Sequence, residues 1–292
     1  MNHNELTSEI PEIICSELNL KENLTEYIRV LNDKYLYLKI EITRNDSPSI
    51  HFRIEGDIED KNILILYNGA YNGTAERKQK PVFQRSSWIK DLKALSINID
   101  DPTILLGNGC IIGWGQGTLE DYYSLYFNNY LQTIYEVLNI SALRNKIHFG
   151  SSAGGYQAVV GASLDIGSRA IICNPQIDWT SHFLLSHVDR LRNISFKGFS
   201  ISALQAMHPD RVNCMKFAKK NRNFPSIDYY VNSQFSHDIQ NQLNHFVNEI
   251  GLGENQELLH GKEFQIHITH ESRGHNPPGK DDTVKLIQYR FL

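Results

Sequence analysis

The sequence predicts an α/β fold: a mostly parallel central sheet with helices on both faces, preceded by an N-terminal helix and antiparallel strands. Three observations carry that expectation. From Ile63 onward, short apolar runs alternate with segments of helical spacing, the pattern of parallel strands joined by crossover helices. The run Ile63–Tyr67 is apolar at every position, as a strand buried on both faces of a sheet would be. Finally, Lys146–Phe149 leads through a glycine-rich turn, Gly150-Ser151-Ser152-Ala153-Gly154-Gly155, straight into a helical segment.

In chain order, Glu5 to Asn32 spaces Ile13, Leu18, Leu24, Ile28 and Leu31 along one helix face. Tyr35–Thr43 and Ser49–Ile58 alternate apolar with polar residues and read as antiparallel strands. Ile63–Tyr67 follows, ending in the turn Asn68-Gly69-Ala70. Trp88–Leu92 suits a short helix, and Leu95–Ile99 a strand stopped by Asp100-Asp101-Pro102. The stretch Gly107–Gly117 (GNGCIIGWGQG) fails both G-x-G-x-x-G and G-K-[ST], which disfavours a phosphate cradle. It reads instead as a loop feeding the rim of a site, with Trp114 as a contact for a sugar or acyl group. From Leu119 to Leu138, residues such as Tyr123, Phe127, Tyr130 and Ile134 recur at helical spacing and form a core face. Tyr156–Leu164 reads as a helix, Ala170–Cys173, Ile227–Val231 and Phe264–Thr269 as strands, and Ile239–Ile250 as a helix between the last two. No repeat or linker divides the chain, so residues 1–292 are expected to form a single domain extended by residues 1–60. That extension would cap the sheet or mediate a homodimer.

A chain of 292 residues, 41% hydrophobic and 21% charged, can bury a full core without metal or disulfide staples. A net charge of -4 argues against a protein that coats nucleic acid. The basic stretch Arg77-Lys78-Gln79-Lys80 with Arg85 reads as a solvated loop, or as a meeting point for an anionic substrate. Four scattered cysteines fit a reducing compartment. The polar first residues do not resemble a leader, and no apolar stretch approaches the roughly 18–20 residues of a membrane span. A cytoplasmic protein without a transmembrane segment is expected. His267 and His270 fall on opposite faces of a strand, and no metal site is expected.

Chemistry concentrates at Gly150-Ser151-Ser152-Ala153-Gly154, a G-x-S-x-G motif between a strand and a helix. Turning that sharply strains the backbone of Ser152 and lifts its hydroxyl above the sheet, while the flanking glycines let backbone pass close by. This is the nucleophile elbow of the α/β-hydrolase fold, with Ser152 as the nucleophile and Ser151 as a space-filler. An oxyanion hole needs two N–H donors. Ala153 supplies one by construction, and Gly69 or Ala70, after the strand Ile63–Tyr67, is expected to supply the other. His275, a short loop beyond Phe264–Thr269, stands where the fold delivers its base. The acid belongs after Ile227–Val231, where the first acidic residue is Asp238. It would orient His275 or cap the helix beginning near Ile239. Asp178 is a second choice, and a Ser–His dyad without an acid is a third.

The run GSSAGGYQAVVGAS and the strand ending Cys173-Asn174-Pro175-Gln176 resemble bacterial capsular-polysaccharide biosynthesis proteins of the α/β-hydrolase type, the capsule O-acetyltransferases among them. Leu66-Tyr67-Asn68-Gly69-Ala70, Ser87-Trp88 and Gly113-Trp114-Gly115-Gln116-Gly117 are similar to that group as well, so the resemblance spans about Ile63 to His275. It implies acyl transfer from acetyl-CoA, as acyl donor, through an acyl-serine to a hydroxyl of a polysaccharide or oligosaccharide acceptor. Ser152 and His275 match the expected nucleophile and base, and Asn174 and Gln176 of the Asn-Pro-Gln tripeptide become substrate contacts. Where such relatives carry Asp soon after the strand, this chain has Gln234 or Phe235. The resemblance also implies a cytoplasmic position beside the inner-membrane capsule machinery. A carbohydrate esterase, or a non-catalytic partner in polysaccharide export, would share the same fold.

Overall fold

The computed structural model describes residues 10–31, 33–71, 73, 80–107, 109–251 and 256–292. Nine strands form one sheet: β1 (Glu12–Ser16), β2 (Tyr35–Arg44), β3 (Ser47–Asp57), β4 (Asn62–Tyr67), β5 (Leu95–Ile99), β6 (Asn145–Ser151), β7 (Arg169–Cys173), β8 (Ser226–Asn232) and β9 (Phe264–Thr269). Their order is β1-β2-β3-β5-β4-β6-β7-β8-β9. The pairs from β5 through β4, β6, β7 and β8 to β9 are all parallel, and β3 joins this block antiparallel to β5.

Burial explains why the central strands read so plainly. Every residue of β4 and β5 is buried, because helices cover both faces. The β2–β3 hairpin alternates instead, placing Leu36, Leu38, Ile40 and Ile42 on its core side. The larger core lies under the helices Tyr123–Val137 and Ala153–Leu164. A smaller core on the opposite face gathers Leu64, Leu66, Ile147, Phe149 and Ile171 under Val284 and Ile287 of the C-terminal helix Lys280–Tyr289.

The N-terminal segment corrects the expectation of one long helix. Residues 1–9 and Asn32 lie outside the described residues, β1 occupies Glu12–Ser16, and only Leu20–Val30 forms the α-helix. β1 pairs in parallel with β2, from Glu12↔Lys39 to Ser16↔Thr43. Backbone pairing along the hairpin edge outweighs the helical spacing of Ile13 and Leu18, and Leu18 ends up exposed. A block of helices between β7 and β8, Leu185–Ser195, Ile201–Met207, Pro209–Val212 and Cys214–Lys220, has no counterpart among the expected elements. Among the described residues no helix is long and apolar enough to cross a membrane.

Candidate active site

β6 ends at Ser151, and Ala153 already begins the helix, so Ser152 makes the whole turn alone at φ 54° and ψ −123°. Such geometry costs on the order of 1–3 kcal/mol for a residue with a Cβ, and it persists only where neighbours over-determine it. Here they do. The Ser152 N–H donates to Cys173 O (3.1 Å), and its carbonyl accepts from the Gln176 N–H (3.1 Å). The glycines are steric requirements as well. A Cβ on Gly150 would lie 2.0 Å from Gly154 O, and one on Gly154 would lie 2.8 Å from Tyr67 O.

The Ser152 hydroxyl meets His275: Oγ lies 3.0 Å from Nε2. On the other side of the ring, Nδ1 lies 2.7 Å from Asp238 Oδ2. The Asp238 side chain is 1% exposed and that of His275 19%. Asp238 opens a wide π-type turn, Asp238–Leu243, that runs into the α-helix Asn244–Gly251. No side-chain cap hydrogen bond is made at that helix start, and the carboxylate turns to the imidazole instead. Asp178 lies elsewhere, bonded to the Thr180 N–H and hydroxyl (2.9 and 2.5 Å).

Two asparagines fasten the histidine loop. Asn174 Nδ2 donates to the carbonyls of His275 (2.9 Å) and Asn276 (3.1 Å), while its Oδ1 accepts from the Asn232 N–H (2.9 Å). Asn232 Nδ2 donates to Glu271 O (2.6 Å) and Gly274 O (2.9 Å), and its Oδ1 accepts from the Glu271 N–H (2.9 Å). Asn174, expected to touch substrate, is therefore buried and fully engaged in the scaffold. Over the imidazole, Phe183 and Phe235 pack with ring centroids 5.2 and 5.6 Å from His275. Phe235, standing where the acid of the related proteins was expected, contributes an apolar wall.

Two further expected contacts are corrected. Trp114 is 0% exposed, enclosed by Trp179 (5.9 Å) and His182 (5.6 Å), and its only donor goes to Gln176 Oε1 at 2.6 Å. An indole so enclosed, with its N–H already used, has no face left for a sugar, and Gln176 is buried with it. The loop around Trp114 is tied inward, with the Gly115 N–H on Asp101 Oδ2 (2.8 Å) and the Gly117 N–H on Thr103 Oγ1 (3.0 Å). Arg77, Lys78 and Gln79 lie outside the described residues. Arg85 is no solvated loop residue: it donates to Ser151 Oγ (2.5 Å) and lies over the rings of Phe149 and Trp88. Ser151 thus has a partner beyond filling space. Burial away from any bonded carboxylate pushes the Arg85 guanidinium down to about 10.

Of the expected oxyanion donors, Ala153 stands first in the elbow helix, so its N–H has no intrahelical acceptor. The Gly69 N–H is taken by Gln84 Oε1 at 2.9 Å, which corrects Gly69 as a donor and leaves Ala70. The loop carrying Ala70 packs against the start of the elbow helix, where Gln157 Nε2 donates to Asn68 O (3.1 Å). Among the described residues no group of three or more His, Cys, Asp or Glu side chains could hold a metal ion.

In sequence, no family model and no curated protein matches the chain. Its architecture has many counterparts among solved structures. Carboxyl esterase 2 (TmelEST2) from the mycorrhizal fungus Tuber melanosporum superposes with a TM-score of 0.56 at 13% identity, over 93% of this chain and 97% of that one. The fold is that of the α/β-hydrolases. The Glycosylation Associate Protein (Gap123) complex from Streptococcus agalactiae gives a TM-score of 0.59 at 13% identity, covering 87% of this chain. The chain spans 45% of that structure's length. The capsule O-acetyltransferase of Neisseria meningitidis serogroup A aligns at 15% identity with a TM-score of 0.50, over 86% of this chain and 91% of its own. At such identities the likeness is one of fold. In this fold, β6 runs into the Ser152 turn, the loop after β8 leads to Asp238, and the loop after β9 carries His275.

Proposed function

We propose that the protein is a serine-dependent O-acyltransferase that passes an acetyl group from acetyl-CoA, through an acyl-Ser152 intermediate, to a hydroxyl of a capsular or other surface polysaccharide. The observation that carries this reading is the continuous Ser152–His275–Asp238 relay, at 3.0 and 2.7 Å, on an elbow whose strain is held from both sides. The roles follow from the chemistry of each group. Ser152 Oγ attacks the thioester carbonyl while His275 Nε2 takes its proton. The C–S bond then breaks, and His275 returns the proton to the departing sulfur. An acceptor hydroxyl next attacks the acyl-serine, giving its proton to His275, which passes it to Ser152 Oγ as the ester leaves. Asp238 holds the ring with its proton on Nδ1 and stabilises the imidazolium. The Ala153 and Ala70 N–H groups receive the oxyanion in both halves.

Transfer and hydrolysis differ only in whether a sugar hydroxyl or water attacks the acyl-serine. A carbohydrate esterase is therefore the second reading, favoured by the full-length superposition on TmelEST2. Transfer is preferred for the resemblance of the elbow and Asn-Pro-Gln segments to capsule proteins and the architecture shared with a capsule O-acetyltransferase. It puts the protein in the cytoplasm, where acyl-CoA is available. The test is labelling with a fluorophosphonate probe together with p-nitrophenyl acetate turnover, in wild type and Ser152→Ala. Labelling and turnover that both vanish in the variant support acyl-serine chemistry. Turnover that survives the substitution removes Ser152 from the mechanism.

A further inference from the structure

We infer that Gln84 is the positioning residue of the oxyanion hole: its carboxamide engages the outer polar groups of the Gly69–Ala70 dipeptide and so reserves the Ala70 N–H for the developing oxyanion. The inference rests on the acyl-serine reading above and adds to it a residue that touches none of the reacting atoms.

Four hydrogen bonds define the arrangement. Gln84 Oε1 accepts from the Gly69 N–H (2.9 Å), and Gln84 Nε2 donates to Ala70 O (2.9 Å). The backbone of the same residue is fixed in turn, its N–H donating to Asn68 Oδ1 (3.0 Å) and its carbonyl accepting from Asn98 Nδ2 (3.0 Å). One side chain thus holds the first N–H and the last C=O of the dipeptide, from a loop that is itself anchored to β5 through Asn98. The donor left over is the central one: the Ala70 N–H makes no hydrogen bond among the described residues. A backbone N–H is a strong donor that rarely goes without an acceptor, so this one remains available for an oxyanion.

The neighbourhood fixes where that donor stands. Gly69 packs onto Ser151, since a Cβ built there would lie 3.3 Å from Ser151 O. Asn68 lies against the elbow helix, its carbonyl 3.0 Å from where a Gly154 Cβ would be. The next residue, Arg85, donates to Ser151 Oγ, so consecutive side chains of one loop brace both walls of the hole. Without the carboxamide, the Gly69 N–H and Ala70 O would each seek another partner, and the peptide between them could rotate. A misplacement of about 1 Å can cost about 10²-fold, and a whole oxyanion donor is worth about 10²–10³ in kcat.

The experiment uses protein labelled with 15N at alanine, before and after phosphonylation of Ser152 by an alkyl fluorophosphonate, whose phosphoryl oxygen stands in for the oxyanion. In wild type the Ala70 and Ala153 amide resonances are both expected to move downfield on phosphonylation. In Gln84→Ala only Ala153 should move, with kcat for p-nitrophenyl acetate lowered about 10–100-fold and KM within about threefold of wild type. Gln84→Glu keeps the acceptor for Gly69 but not the donor for Ala70, and an intermediate loss is expected; it also serves if the alanine variant folds poorly. A purely structural role would lower the melting temperature and leave the Ala70 shift and kcat as in wild type, which overturns the inference while Ser152 still labels. Failure of wild-type Ser152 to take the phosphonyl group would instead overturn the acyl-serine reading, and the inference with it.

Discussion

Replacing Asp238 by asparagine tests the relay at its most informative point. The substitution keeps size and shape at a position that is 1% exposed, so packing is little disturbed. It removes the charge 2.7 Å from His275 Nδ1 and allows an amide N–H to face that nitrogen, which favours the wrong imidazole tautomer. Two unit charges about 4 Å apart, at an effective dielectric near 20, interact by about 4 kcal/mol. At about 1.4 kcal/mol per decade, losing that stabilisation of the imidazolium slows acylation by about 10³-fold. The tautomer penalty acts in the same direction, and amide replacement of the acid in serine triads costs about 10⁴-fold. A loss of about 10³–10⁴ in kcat for p-nitrophenyl acetate is therefore expected, with KM near wild type and the melting temperature measured alongside as a folding control. A variant within twofold of wild type, alongside an inactive His275→Ala, would refute the role given to Asp238 and leave a Ser–His dyad.

Other expectations follow from single contacts. Asn174→Ala removes both bonds to the histidine loop, so kcat should fall with little change in KM; a rise in KM alone would restore Asn174 as a substrate contact. Gly150→Ala drives a Cβ to 2.0 Å from Gly154 O and should cost about 3 kcal/mol, read as a melting temperature several degrees lower. Burial pushes the His182 imidazole down to about 4 from an ordinary value near 6.5. Between those pH values the unfolded chain binds a proton that the folded chain does not, so the His182 contribution to stability is lost as pH falls through that window. The total is about 3 kcal/mol. Denaturant unfolding of His182→Gln against wild type should show a difference that shrinks by about that amount from pH 7 to pH 4; a constant difference would contradict it.

The strands of the parallel block were legible from sequence. β5 and β9 match their expected bounds residue for residue, and β4, β6, β7 and β8 extend theirs by one to three residues. Ser152 and His275, whose side chains the fold brings to 3.0 Å, stood out because the elbow needs a serine between glycines and because His275 lies a short loop beyond Phe264–Thr269. Asp238 was ambiguous, since the residue that starts a helix and the residue that faces a histidine can be the same aspartate; only the tertiary approach of two loops separates those roles. Gly69 misled for a related reason, as its N–H is consumed by Gln84 from 15 positions along the chain. Trp114 suggested a sugar platform by residue type alone, yet core packing and one bond to Gln176 account for it. The helices between β7 and β8 did leave signals: Ser200 caps one by accepting from the Ala203 N–H, Pro209 opens another, and Asn213 caps a third. Asn232 and Phe183 left none, because each acts on a loop distant in sequence.

The most direct test of acyl transfer through Ser152 is the intact mass of the protein, acid-quenched after brief incubation with acetyl-CoA, measured beside Ser152→Ala. An acetyl adduct is expected on the wild type and absent from the variant. No adduct on the wild type, followed by no labelling with a fluorophosphonate, would mean that Ser152 carries no acyl group and that the fold serves a non-catalytic purpose.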